Sequence, residues 1–146
     1  MRPPRQGVLY WDSSAVLSLL FQDAHSRRAA AAVRKSAVHL LSTLAWAEVH
    51  AVIARARRER ALADVLIDAA REALDRGPWR RANISPEWGM VREMASRWAL
   101  RGADLWHLCA AKTLKADLPE LELLTFDARL RAAARAERLA RGARDN

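Results

Sequence analysis

The chain has 146 residues, 51% hydrophobic and 29% charged, a balance that excludes a disordered chain and suits one domain with a buried core. Its formal net charge of +8 points to a polyanionic partner, nucleic acid first. No apolar run approaches the ~18–20 residues that span a bilayer, the basic start Met1-Arg2-Pro3-Pro4-Arg5 lacks the apolar stretch of a signal peptide, and the single Cys109 allows no internal disulfide, which fits the reducing cytoplasm.

Val8-Leu9-Tyr10-Trp11 is a short apolar run of strand formers and reads as a buried strand. Asp12-Ser13-Ser14 follows as a helix start, with helices predicted over Ala15–Gln22 and Ala24–Lys35. Val38–Leu41 is a second strand, and Ser42 and Thr43 offer caps for a helix over Leu44–Arg58. Ala61–Leu74 is a further helix, closed by Arg76-Gly77-Pro78. Trp79–Ile84 is weakly strand-like.

Ser85-Pro86-Glu87 opens a helix with Pro at an early position, running to Leu100 and stopped by Arg101-Gly102. Ala103-Asp104 opens the next, ending near Lys115. Leu121–Phe126 reads as a strand, and Asp127 opens a last helix to Ala140. Residues 1–6 and 141–146 are expected to fray around a single domain spanning 1–146. Short apolar strands alternating with helices predict an α/β fold: a parallel sheet of about four strands covered by helices on both faces.

In such a sheet, sites form at the carboxyl ends of the strands, and four acids fall there. Asp12 and Asp127 directly follow predicted strands, Glu48 lies just over a turn into the helix after the second, and Asp104 stands at a helix start. As single residues, Asp12, Asp104 and Asp127 read as helix caps. Glu48 is too far past Ser42 and Thr43 to close a capping box. Its neighbours at three and four positions are Leu44, Ala45, Ala51 and Val52, an apolar surface on which a carboxylate is costly unless a cation, a donor or water meets it. Carboxylates delivered from separate elements to one place suit Mg²⁺ or Mn²⁺, which take hard oxygen ligands and retain water.

Other chemistries fit poorly. There are five glycines and no phosphate loop, no zinc spacing of Cys and His, and no nucleophile elbow. His107, three residues after Asp104, lies on nearly the same helix face and is read as a surface or core histidine with a backbone partner. The alternative role is orienting a carboxylate or a water. Cys109 reads as a small buried hydrophobe. Trp11 reads as core, while Trp46 and Trp106, each two residues from an acid, are open to stacking on bases.

Four local patterns resemble the PIN-domain ribonucleases, more narrowly toxins of the VapC type from toxin–antitoxin pairs. They are Tyr10-Trp11-Asp12-Ser13-Ser14-Ala15, the Glu helix Ala47-Glu48-Val49-His50-Ala51-Val52-Ile53-Ala54-Arg55, the helix Gly102-Ala103-Asp104-Leu105-Trp106-His107-Leu108-Cys109-Ala110-Ala111, and Leu124-Thr125-Phe126-Asp127. Their order and separations cover nearly the whole chain. Trp106 replaces a usually aliphatic residue, and the short final strand usual in the family is not legible in Arg141-Gly142-Ala143-Arg144.

The resemblance implies that Asp12, Glu48, Asp104 and Asp127 are catalytic residues that bind Mg²⁺ or Mn²⁺ and cleave RNA, of the tRNA or rRNA class. Ser13 or Ser14 and Thr125 would support the carboxylates, and Arg55 and Arg101 would hold the flanking backbone. It also implies a homodimer and a cognate antitoxin protein. Leu19, Phe21 and Val65 on the early helices read either as the lining of a groove for an antitoxin segment or as ordinary core packing. The competing reading is a non-catalytic basic helical domain that binds nucleic acid and uses the acids only as caps.

Overall fold

The run Gly7–Trp11 is β1, and its alternation explains the layering of the protein. Successive side chains of a strand point to opposite faces. In the computed structural model, which describes residue 3 and residues 5–140, Val8 and Tyr10 enter one hydrophobic core while Leu9 and Trp11 enter another. A strand with no polar position facing outward must be covered on both sides. Helices α1 (Ser13–Leu20), α2 (Ser26–Val33), α3 (Thr43–Arg58) and α4 (Asp64–Arg76) cover the face of Leu9 and Trp11. Helices α5 (Trp88–Arg97), α6 (Gly102–Lys115) and α7 (Ala128–Ala136) cover the other.

The sheet has four parallel strands in the order β3-β2-β1-β4, with β2 over Ala37–Ser42, β3 over Trp79–Ala82 and β4 over Leu121–Leu124. Trp11 pairs in register with Leu41 on one side and Leu124 on the other. The chain leaves β1 toward β2 and returns on the opposite side as β4, so a topological switch point lies between β1 and β4, where α/β sheets open a crevice. The predicted architecture is therefore the observed one.

Several boundaries differ from the sequence reading. Helix α5 starts at Trp88 rather than Ser85, because the Glu87 carboxylate caps it by accepting from the Gly89 and Met90 amides. Pro86 therefore precedes the cap. Gly102, read as a stop, is the first residue of α6. Helix α4 begins at Asp64, because α3 closes with Arg60 in the left-handed region (φ 51°) and the Ala61 amide donating back to Ala56. Helix α7 ends at Ala136 rather than Ala140 by a similar device: Arg138 has φ 62° and the Leu139 amide donates to the Ala134 carbonyl. Glycine usually takes that position. Leu139 then accepts from the Leu123 amide at 2.7 Å, bringing the chain alongside β4. The expected fraying at 141–146 lies outside the described residues, and the expected fraying at 1–6 does so at residues 1, 2 and 4.

Candidate active site at the carboxyl edge of the sheet

Asp12 is the first residue past β1 and is 2% exposed. Burial pushes its carboxyl up, and three donors work against that: the Thr125 hydroxyl, the Ala15 amide at 2.9 Å and the Ser14 hydroxyl at 2.7 Å. The Ala15 bond is a helix cap, while Thr125 comes from the far side of the switch point, directly after β4. The same carboxylate thus caps α1 and fastens the end of β1 to the segment leaving β4.

Asp127 also caps, its carboxylate accepting from the Leu130 amide at 2.8 Å at the start of α7. Asp104 does not. It occupies the third position of α6, where no side chain caps the helix, and its carboxylate has no hydrogen bond or ion pair with any described residue. Burial first, then the charges of Asp127 and Glu48, raise its carboxyl, with His107 and Arg101 opposing. The cap reading of Asp104 is therefore wrong, and that of Asp12 and Asp127 is correct as far as it goes.

Glu48 meets a donor. His107, 1% exposed, lies 2.7 Å from Glu48 Oε1 through Nε2 and 2.6 Å from the Tyr10 hydroxyl through Nδ1. A carboxylate only accepts, so Nε2 carries a proton, and in the neutral ring Nδ1 then accepts from Tyr10. Tyr10 remains protonated because burial raises its pKa, outweighing the opposing influence of Ser42. A polar chain thus runs from Tyr10 through the buried His107 to Glu48. His107 is a core histidine, but its partners are side chains rather than the backbone, and its contact with the Glu48 carboxylate is the alternative role read from the sequence. Tyr10, read only as strand core, is part of the same chain; its hydroxyl on an otherwise apolar run was the available signal.

The four acids thus share one neighbourhood. Asp104 senses Asp127 and Glu48, Asp12 senses His107, and Tyr10 senses both Asp12 and Glu48. Asp104 and Asp127 line a cleft of about 350 Å³ whose rim carries Arg101 and Arg129. Among the described residues no three His, Cys, Asp or Glu side chains form a preassembled ion-binding group. Mg²⁺ seldom needs one, since one or two carboxylates, waters and substrate phosphates commonly complete its shell. All the available donors are hard oxygens, and mutual repulsion already raises Asp104, so this residue set suits such a dication.

Other sequence expectations divide. Ser14 and Thr125 support Asp12 as predicted, and Arg101 is at the cleft. Arg55 pairs on the surface with Glu59 at 2.9 Å. Trp11 is fully buried and Cys109 is a buried hydrophobe, its thiol pushed up to about 11 by burial. Trp46 carries the Arg81 guanidinium over its ring at 4.8 Å. Leu19 and Phe21 pack against the core, whereas Val65 is 72% exposed.

Among the described residues no helix is long and apolar enough to cross a membrane. No curated protein matches the chain. Residues 9–136 match the family model described as the PIN domain.

Proposed function

Because the chain belongs to the PIN-domain family, whose members are in general metal-dependent nucleases, we propose that it is a Mg²⁺- or Mn²⁺-dependent endoribonuclease acting at Asp12, Glu48, Asp104 and Asp127. The observation that carries this reading is the contrast between Asp104, half-buried among like charges without a hydrogen-bond donor among the described residues, and the other three acids, each held by at least one. Burying a carboxylate beside others costs stability, so a fold that keeps such a group at its switch point has a use for it.

Asp12 and Asp104 would be the main ligands, with Glu48 and Asp127 completing the pocket or orienting the attacking water. Bound there, the dication lowers the pKa of that water and neutralises charge on the phosphate oxygens. The chain's own residues supply the geometry. Thr125, Ser14 and the Ala15 amide fix Asp12, and His107 fixes one oxygen of Glu48. Asp104, unheld, is free to adjust. Arg101 and Arg129 at the rim bring cationic groups to a phosphodiester strand entering the cleft.

The finer reading is that this is the toxin of a toxin–antitoxin pair, a cytoplasmic single-domain homodimer that cleaves tRNA or rRNA and is inhibited by a cognate antitoxin protein. Exposed apolar side chains support protein contacts: Val65 and Leu66 on α4, and Trp88, 91% exposed, at the start of α5. The test is Asp104→Asn. It should abolish RNA cleavage while leaving RNA binding intact or tighter, because one repelling charge has gone. Cleavage at the parental rate by that variant would refute the mechanism.

A further inference from the structure

A second charge cluster lies on the β4 flank of the carboxylates. Arg28 of α2 and Arg131 of α7 line a groove of about 320 Å³ together with Lys35, Thr125 and Phe126. The groove adjoins the site through bonded residues. Thr125 donates to Asp12, and the Phe126 amide donates at 3.1 Å to the Ser14 hydroxyl that itself bonds Asp12. Arg131 stands one helical turn after Asp127, its amide bonded to the Asp127 carbonyl, so the two side chains share a side of α7.

The groove is built rather than incidental. The Phe126 ring is stacked by His25 at 4.8 Å, nearly parallel, and the Arg28 guanidinium lies 6.0 Å from the same ring, at the outer limit of a cation–π contact. Neither Arg28 nor Arg131 forms an ion pair with any described residue. Partial burial, then the charges of Arg135 and Arg28, hold Arg131 below the usual arginine range. The carboxylate in the wall, Glu122, is already engaged. Crowded, unpaired guanidinium groups are relieved by a phosphate, whose oxygens match their planar donor fork.

We propose that Arg28 and Arg131 form a subsite for a backbone phosphate of single-stranded RNA, adjacent to the phosphate held at the carboxylate cleft. The subsite rests on the nuclease reading, and it fixes the side from which the strand enters: over β4 and the start of α7.

The test measures affinity for a fluorescent mixed-sequence single-stranded RNA as a function of salt, in the Asp104→Asn background so that nothing is cut. Each phosphate that the protein no longer neutralises lowers the slope of log K against log salt by about 0.7, so Arg28→Gln and Arg131→Gln should each lower it by about that amount. The double variant Arg57→Gln/Arg76→Gln, with two charges removed from the last turns of α3 and α4, is the control for net charge. An equal fall in the control, or an unchanged slope on removing Arg28 and Arg131, overturns the subsite and leaves the nuclease reading standing. Absence of RNA binding before any arginine is changed overturns both.

Discussion

The Asp104 carboxylate is held by no described residue, and the contrast with Asp12, Glu48 and Asp127 predicts different work for each acid. Asp12 is a fastener as well as a charge, since it joins β1, α1 and the Thr125 segment. Glu48 depends on His107, and His107 depends on Tyr10. Removing a residue that orients an ion ligand typically costs 10–100-fold in metal affinity or activity. His107→Ala should therefore weaken Mn²⁺ binding and cleavage by about that factor. Tyr10→Phe, which keeps the ring and loses only the donor, should reproduce part of the effect. Titration with Mn²⁺ read by electron paramagnetic resonance checks both, and unchanged affinity in His107→Ala would show that Glu48 needs no positioning.

Among elements, α7 separates a structural role from a chemical one. Asp127 caps this helix, and Asn caps about as well as Asp, whereas Ala in its place costs about 1 kcal/mol. Asp127→Asn should melt with the parent and cut RNA poorly; Asp127→Ala should lose both stability and cleavage. Parental cleavage by Asp127→Asn would reduce this acid to a cap.

Glu137, just past α7, ties three elements together. It accepts from Lys112 of α6 at 2.9 Å, from Arg97 of α5 at 2.6 Å and from the Trp98 indole at 2.9 Å. Burial raises its carboxyl, but these donors outweigh burial and lower it to about 2. A carboxylate with a depressed folded pKa stabilises above its unfolded pKa and loses that contribution as pH falls toward the folded value. Glu137→Gln should cost about 2 kcal/mol at neutral pH, below the ~3–5 kcal/mol of a broken fully buried pair and above the ~1 kcal/mol of an exposed one, because Arg97 is half exposed. The deficit should shrink between the ordinary carboxylate range and pH about 2, which urea melts across pH would show. A deficit independent of pH would mean that packing, not charge, holds the three helices.

Element identity was legible in the sequence because strands buried on both faces read as unbroken apolar runs. Val8–Trp11 is such a run, and Leu121–Leu124 departs from it only at Glu122. Helix ends were less legible where long-range or unusual groups make them. Arg60 and Arg138 adopt the left-handed conformation usually taken by glycine, and Gly102 begins a helix instead of ending one. At the site, Glu48 was legible because its neighbours are apolar, and Asp12 because it follows a strand. The Tyr10–His107 link was not, since it joins side chains 97 residues apart and nothing local announces it.

At the scale of the whole molecule, the chain carries a formal +8, yet four of its acids, Asp12, Glu48, Asp104 and Asp127, share one neighbourhood, with Arg101 and Arg129 at the cleft and Arg28 and Arg131 in the adjoining groove. A basic surface attracts a polyanion, and an acidic hollow within it repels that same polyanion unless a cation intervenes. The most direct test is to incubate the purified protein with total RNA and map the new ends, with Mn²⁺ and with chelator, beside Asp12→Ala. Discrete new ends should form with Mn²⁺ and vanish with chelator or with Asp12→Ala. The same ends from Asp12→Ala, or ends indifferent to chelation, would contradict a carboxylate-held dication as the cutting device.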